Sequence, residues 1–521
     1  MKILQIPDSP WSIGQLCSGI RKYNPQIEWK LIYCPPRDIE DHLKEIREAI
    51  KDVDVIDFQY WNVAWQLCEK IPELKEKKKI LTYHTMPFKK LEAWVDFDAL
   101  AVKTDFYFKK LNSIYPGKVY KIPNAADFDY FKWNENYPPK EPAVGYAGRI
   151  SNWKGLKEIA RACFELGYPL YVMGSYDKAD YWREIPDEYK KIMRFDFFEC
   201  PDNERLGFYQ NITIYVGNSE PDHEAGTLPF LEAMACGVPV VTTPNGMAAD
   251  IVEDEKDVLM VRYGDYDHLK SQIKRAMDDQ DLRMGLRKNA WQVVKNYNYP
   301  WLAKEYEKLY NKVIFDGQIS VSVIIPATYE REELVRKIVE ALEKQSYKNI
   351  EAVIIWDELE SKKINFNSKI TIKQLFTNRL GYNLAMARNL GIIEAIGDIL
   401  VFNDSRLLPK EKAIENFVNG FEDNKKVWLF GNKGYEKLSF IENFSAIKRD
   451  DLIRAGMFNE RVDQYGGMSQ EIRSRFISQG FNLKFLAEAE AEQLISSKLT
   501  PAKRRNIIAM KTLLYKLNLK K

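Results

Sequence analysis

Short apolar runs and amphipathic stretches take turns along nearly the whole chain. Ile3–Ile6, Trp29–Tyr33, Val55–Phe58, Ile80–Tyr83, Ala99–Val102, Val119–Ile122, Val144–Tyr146, Leu170–Val172, Ile214–Val216 and Val240–Thr242 read as short buried strands. Each is followed by turn residues and usually by a segment of helical periodicity, which predicts parallel, doubly wound sheets. The polar, Pro-rich stretch NENYPPKEP (Asn134–Pro142) divides this region, predicting one sheet unit over 1–140 and a second over 141–313. A helix over Trp301–Val313 is expected to close the second unit. After FDGQIS (Phe315–Ser320) the alternation restarts with VSVIIP, and a third α/β unit is expected over 319–490. No short-period repeat is visible.

Bulk properties change this picture little. A chain of 521 residues is expected to hold two to four domains. The net charge of +2 provides no global field for nucleic acid, so nucleic acid is not an expected partner, although a local patch can still contact phosphate. Cysteines 17, 34, 68, 163, 200 and 236 contain no CxxC pair and read as reduced core thiols. The opening MKILQIP reads as a strand rather than a signal peptide, and no apolar run approaches the ~20 residues of a membrane span. A cytoplasmic protein is expected. From Lys498 to Lys521 the chain is basic and free of acids, with Ile507, Ile508, Met510, Leu513, Leu514 and Leu517 interleaved. That segment predicts a basic amphipathic helix over 498–521, either packed on the protein or lying at an anionic membrane surface on the inner face.

The densest chemistry lies in EPDHEAGTLPFLEAMACGVPVV, where Glu224 and Glu232 form an E-x7-E. Pro229 suits the first turn of a helix, and Gly226, Thr227 and Leu228 make its start, whose free N–H groups favour an anion such as a diphosphate. Glu232, one turn in, could then reach a ribose diol, with Glu224 on the loop reaching a sugar beyond the phosphates. In GYAGRISNWKGLKEI a strand ends at Gly148, Arg149 follows, and Lys154 with Gly155 opens a helix. Two cations there would neutralise a leaving diphosphate without a metal, whereas an isolated pair would be solvated surface charge. His84, one of four histidines, ends a predicted strand, the place where open α/β sheets hold ligands.

With TYHT, IPNAADFDYF, GRISNWKG and EAGTLPFLEAMACGVPVV in this order, residues 1 to about 313 resemble family 4 of the retaining glycosyltransferases. The resemblance implies the GT-B fold of two Rossmann-like units, a nucleotide-sugar donor in the second and an acceptor, a glycan or a lipid-linked one, in the first. It also implies hexosyl transfer with retention and no metal. Arg149 and Lys154 would hold the diphosphate, Glu232 the ribose and Glu224 the donor sugar, with His84 meeting that sugar from the other lobe. Two departures stand out: the first loop, PDSPWSIGQ, carries only Gly14, and Thr227 stands where the family has glycine.

Residues 319–490 resemble family 2 glycosyltransferases of the GT-A fold, through SVIIPATYERE, ARNLGI and GDILVFND. That family holds a metal with paired strand-end acids. Here Asp404 is followed by Ser405 and Arg406, the early acidic pair is thinned to Trp356-Asp357, and the later pair reads Met468-Ser469 with Glu471 beyond. One carboxylate is a poor site for a hard divalent cation, so no metal is expected here. Arg406 could supply the positive charge and Glu471 a displaced base. The pattern reads as a degenerate accessory domain. Three alternatives remain: a bifunctional enzyme, a non-catalytic carbohydrate-binding scaffold, and a nucleic-acid-modifying glycosyltransferase.

Overall fold

All ten apolar runs become strands. In the computed structural model, the described residues are 1–495 apart from 11, 85–96, 176–178, 200, 202–203, 222–223, 225–226, 361–362, 380, 382, 423–424, 435–439 and 463–466. Gly226, Cys200 and the basic segment 498–521 therefore lie outside the described residues. Met1–Val313 form one unit, and the chain from Ile314 forms another.

The first unit holds two sheets. β1 (Lys2–Ile6), β2 (Glu28–Leu31), β3 (Val55–Phe58), β4 (Lys79–Tyr83), β5 (Ala99–Val102) and β6 (Val119–Lys121) lie in the order β2-β1-β3-β4-β5-β6. Every pairing is parallel. Runs such as VIDF and KILTY are buried along their whole length, as expected for strands with helices on both faces. The second sheet comprises β7 (Val144–Ala147), β8 (Leu170–Met173), β9 (Met193–Arg194), β10 (Ile214–Gly217), β11 (Val240–Thr242) and β12 (Leu259–Met260). Its order is β12-β11-β10-β7-β8-β9, again all parallel. β9 and β12 were not expected; at two residues each they are too short to leave a pattern. Cys17, Cys34, Cys163 and Cys236 are buried free thiols, and Cys68 is half-buried.

The chain crosses between the two lobes twice, and this corrects the simple division at residue 140. Ala126 and Phe131 pack into the second lobe's core with Phe208, Tyr209 and Phe230. Arg287 clamps this crossing: its guanidinium lies over Trp133 and Tyr137 and donates to the Asn134 and Gly237 carbonyls, each at 2.8 Å. The helix Tyr299–Ile314, expected to close the second lobe, returns to the first. There Tyr310 donates to Asp57 at 2.6 Å, Tyr306 meets Thr82 at 3.0 Å, and the Ala303 carbonyl accepts from Asn24 at 2.8 Å. In the closing helix, buried aromatic and polar contacts outweigh sequence proximity.

The second unit is one mixed sheet. Its strands are β13 (Val321–Ala327), β14 (Ile350–Trp356), β15 (Thr371–Phe376), β16 (Ile399–Asn403), β17 (Leu407–Pro409), β18 (Val427–Asn432), β19 (Phe444–Lys448) and β20 (Asn482–Gln493). They lie in the order β15-β14-β13-β16-β19-β18-β20-β17. β13 to β16 are mutually parallel, while β19 runs antiparallel to β16. One hydrophobic cluster covers each face. Among the described residues, no helix is long and apolar enough to cross a membrane.

Candidate active site

In the second sheet, β7 has β10 on one side and β8 on the other, so chain connections diverge there. The carboxyl ends flanking such a point form a ready-made crevice. The segments following β7 and β10 carry the predicted residues. After β7, Gly155 has φ +66°, and a Cβ there would fall 2.5 Å from the Asn218 carbonyl oxygen that follows β10. Only glycine suits both demands, and it starts the helix Leu156–Leu166 directly behind Lys154. Lys154 Nζ lies 2.5 Å from Glu224 Oε1, with the side chains only 12% and 10% exposed. The two residues assigned from sequence to diphosphate and sugar therefore touch each other. Arg149 is exposed and neighbours Asp8 and Tyr60 of the first lobe. Burial raises the Asp8 carboxyl pKa, against pull from Ser9 and the Arg149 charge.

Thr227 precedes the helix Leu228–Ala235 in an extended conformation, Pro229 occupies its start, and Leu228 is buried. Glu232, one turn in, is also buried. Its carboxylate accepts twice from Arg205, once at 2.5 Å, and once from the Tyr209 hydroxyl at 2.6 Å. Arg205 also donates to Gln15 of the first lobe at 2.8 Å. Burial and the Glu232 charge push the Tyr209 phenol well up, so it acts here as a donor.

His84 follows β4 and is half-buried. Its Nε2 lies 3.1 Å from Gln59 Oε1. Behind Gln59 sits a buried polar group: Asp57, Gln5, Thr82, Lys103, Tyr306 and Tyr310. Burial, then the Lys103 charge, keeps the imidazole pKa well below its ordinary range, so the ring is neutral. Burial also pushes the Lys103 ammonium down to about 7, against the pull of Asp57 and Cys17.

In the second unit the corresponding divergence is at β13, between β14 and β16. Asp404 follows β16 and is taken up by its neighbour: Arg406 donates from Nε at 2.8 Å, from a terminal nitrogen at 2.6 Å, and from its backbone N–H at 3.1 Å. Arg331 lies 3.8 Å from the same carboxylate and donates to Ser405 at 2.9 Å. Burial opposes ionisation of Asp404, but the Arg406 hydrogen bonds and charge, with Arg331, hold its pKa below the usual value. Burial lowers Lys433 to about 8, offset by Glu442 and Asp404. Asp357 accepts from Thr377 at 2.9 Å and from the Asn383 N–H at 3.1 Å. Glu471 is committed to Arg475, one turn along its own helix, at 2.8 Å. Among the described residues, no three His, Cys, Asp or Glu side chains are grouped to hold a metal ion.

Residues 127–293 match the family model of glycosyl transferases group 1. Residues 322–476 match that of glycosyl transferase family 2. The chain therefore fuses a GT-B type domain to a GT-A type domain. It is 27% identical over 210 residues to a capsular polysaccharide biosynthesis glycosyltransferase, CapM, of Staphylococcus aureus, covering 37% of this chain and 51% of that one. It is 31% identical over 188 residues to an N,N'-diacetylbacillosaminyl-diphospho-undecaprenol α-1,3-N-acetylgalactosaminyltransferase of Campylobacter jejuni, covering 35% and 48%. The chain thus spans about half the length of the curated relatives it matches. Among solved structures, HepE of Anabaena in complex with UDP and glucose superposes with a TM-score of 0.51 at 16% identity, over 59% of this chain and 99% of that one, a likeness of fold.

On this GT-B framework, sequence reasoning missed Asp8, Gln15, Gln59 and Arg205. Arg205 lies in ERLGFYQ, which carries no motif, and its role is visible only where its helix meets Glu232. A polar residue inside an apolar strand was the available signal for Asp57 and Thr82. Gln59 and Gln15 left none.

Proposed function

We propose that the first unit is a glycosyltransferase moving a hexose from a nucleotide-sugar donor to a glycan or lipid-linked acceptor, with retention and without a metal. The observation carrying this reading is the cluster at the carboxyl ends of β7 and β10. Arg149, Lys154 and the start of the helix Leu228–Ala235 supply positive charge there, beside the acids Glu224 and Glu232. Transfer breaks the bond from the anomeric carbon to the diphosphate oxygen and forms one to the acceptor oxygen, whose hydroxyl proton leaves on the departing diphosphate. The departing diphosphate gains negative charge, which Lys154 and Arg149 offset. On this reading Lys154 exchanges Glu224 for the phosphates, freeing Glu224 for the donor sugar, and Glu232 shares its carboxylate between Arg205 and the ribose. Similarity to a transferase that acts on a diphospho-undecaprenol substrate favours a lipid-linked acceptor, met from the cytoplasmic side of a membrane. The second unit is accessory: with both Asp404 oxygens held by Arg406, its strand end presents a guanidinium where a metal would need free carboxylates.

The test is turnover across a panel of nucleotide-sugars, with and without EDTA, for the wild type, Glu232→Gln and Asp404→Ala. Glu232→Gln should lower kcat/KM about 10- to 100-fold, the range for losing a hydrogen bond to a charged group. EDTA and Asp404→Ala should leave the rate within about twofold, a change too small to reflect a lost transition-state contact. Abolition by EDTA or by Asp404→Ala, with Glu232→Gln unaffected, would move the active site to the second unit. Inverted anomeric configuration in the product would overturn retention.

A further inference from the structure

The first lobe contains a chain of directional hydrogen bonds ending on His84. Gln59 follows β3 and is fully buried, as is Asp57 within that strand. The Gln59 amide nitrogen lies 2.8 Å from each Asp57 oxygen and 3.3 Å from Thr82 Oγ1. Asp57 also accepts from Gln5 at 3.1 Å and from the Tyr310 hydroxyl at 2.6 Å. Gln5 is itself oriented, because its carbonyl oxygen accepts from Arg21 at 2.8 Å.

Burial raises the Asp57 carboxyl pKa, opposed by the Tyr310, Gln5 and Gln59 hydrogen bonds and the Lys103 charge, and both of its oxygens are used as acceptors by these donors. Asp57 therefore forces the NH2 end of Gln59 towards itself and the carbonyl end towards the imidazole. Gln59 Oε1 can in turn only accept, so the neutral His84 ring must carry its proton on Nε2, leaving Nδ1 as the lone-pair nitrogen. A neutral histidine is otherwise free to place its proton on either nitrogen.

We infer that Asp57, acting through Gln59, is a positioning residue that fixes His84 as the Nε2–H tautomer, so that Nδ1 is the acceptor offered to a hydroxyl of the donor sugar. This rests on the reading that His84 contacts the donor. Burial alone would keep the ring neutral but would not select a nitrogen; the selection comes from the amide, and the amide's orientation from the acid. The closing helix takes part, because Tyr310 reaches Asp57 from the far end of the chain's first unit.

The experiment is a long-range 1H–15N correlation on the full chain labelled with [15N]histidine. Only four histidines contribute, and His84 is assigned by the signal lost in His84→Asn. The wild type should show His84 as Nε2–H. Gln59→Met removes the acceptor at nearly constant shape and should give a mixture of tautomers. Asp57→Asn offers Gln59 a donor as well as an acceptor, so the Gln59 amide is no longer forced one way, and should also give a mixture of tautomers. Where the wild type turns over donor, Gln59→Met should lower kcat about tenfold, the kinetic equivalent of one neutral hydrogen bond, with KM for donor nearly unchanged. A wild-type His84 protonated on Nδ1, or a tautomer indifferent to Gln59→Met, overturns the inference. Failure of the wild type to turn over any donor overturns the functional reading instead, and leaves the tautomer result standing.

Discussion

Glu224 and Glu232 are eight residues apart, yet the two acids meet different partners. Glu224, on the loop, pairs with a lysine delivered by β7. Glu232, on the helix, is held by Arg205 and Tyr209. Spacing and turn chemistry exposed the two acids, and a strand-to-helix pattern exposed Arg149 and Lys154. The residues that orient them were not legible, because Arg205, Gln15 and Gln59 matter only through neighbours remote in sequence. Lys103 shows the same limit: it looks like a strand-end surface cation but is fully buried, donating to Tyr306 at 3.1 Å. Its burial has a measurable sign. An unfolded lysine titrates near 10.5, whereas folding lowers Lys103 to about 7. Between those values the unfolded chain binds a proton that the folded chain lacks, so stability rises with pH across the window. Below about 7 the full cost of the buried charge applies. Lys103→Met removes the titration while retaining an apolar stem. In urea unfolding at pH 7.5 and 9.5, the wild type should gain on the order of 2–3 kcal/mol relative to Lys103→Met. Equal changes in both proteins would show that Lys103 titrates normally.

At the level of elements, apolar runs were enough to locate the strands because most are largely buried and bounded by turn residues; β2, at a sheet edge, is the half-exposed exception. They did not determine which lobe an element serves. The segment 126–137 joins the second lobe before that lobe's first strand, held by Phe131, Trp133 and Tyr137, and the helix Tyr299–Ile314 returns to the sequence-remote first lobe, drawn by Tyr306 and Tyr310. Glycines were more informative than periodicity for the site itself. Gly155 joins Lys154 to the helix Leu156–Leu166 in a left-handed conformation against the backbone of Asn218. In Gly155→Ala, the left-handed backbone alone costs about 1–2 kcal/mol. The Cβ would also fall 2.5 Å from the Asn218 carbonyl oxygen, which the loops following β7 and β10 can accommodate only by moving apart. The expected result is a loss of about 2–3 kcal/mol in denaturant unfolding together with a raised KM for donor, since Lys154 moves with the turn. A stable variant with unchanged KM would mean that this turn does not set the position of Lys154.

For the whole molecule, each unit has its own sheets and its own hydrophobic clusters: three in the first unit and two in the second. Separate cores predict separate cooperative transitions, so calorimetry of the full chain should resolve two endotherms. Ligand and substitution should then act on different ones. The nucleotide of an accepted donor, at about 100 times its Kd, should stabilise one transition by about 2.7 kcal/mol and leave the other in place. Asp404→Asn should lower the other, because it leaves Arg406 and Arg331 facing a neutral amide in a mostly buried site, a change of about 1–3 kcal/mol. The pH dependence of that second effect is fixed by sign. The Asp404 carboxyl is held below its ordinary 3.8, so its contribution is complete above that value and disappears as pH falls through the folded value. The gap between wild type and Asp404→Asn should therefore be constant near neutrality and close in acid. A single endotherm that moves with both nucleotide and Asp404→Asn would mean that the two units do not unfold independently; two endotherms, with nucleotide shifting the one that Asp404→Asn lowers, would mean that the donor binds in the second unit.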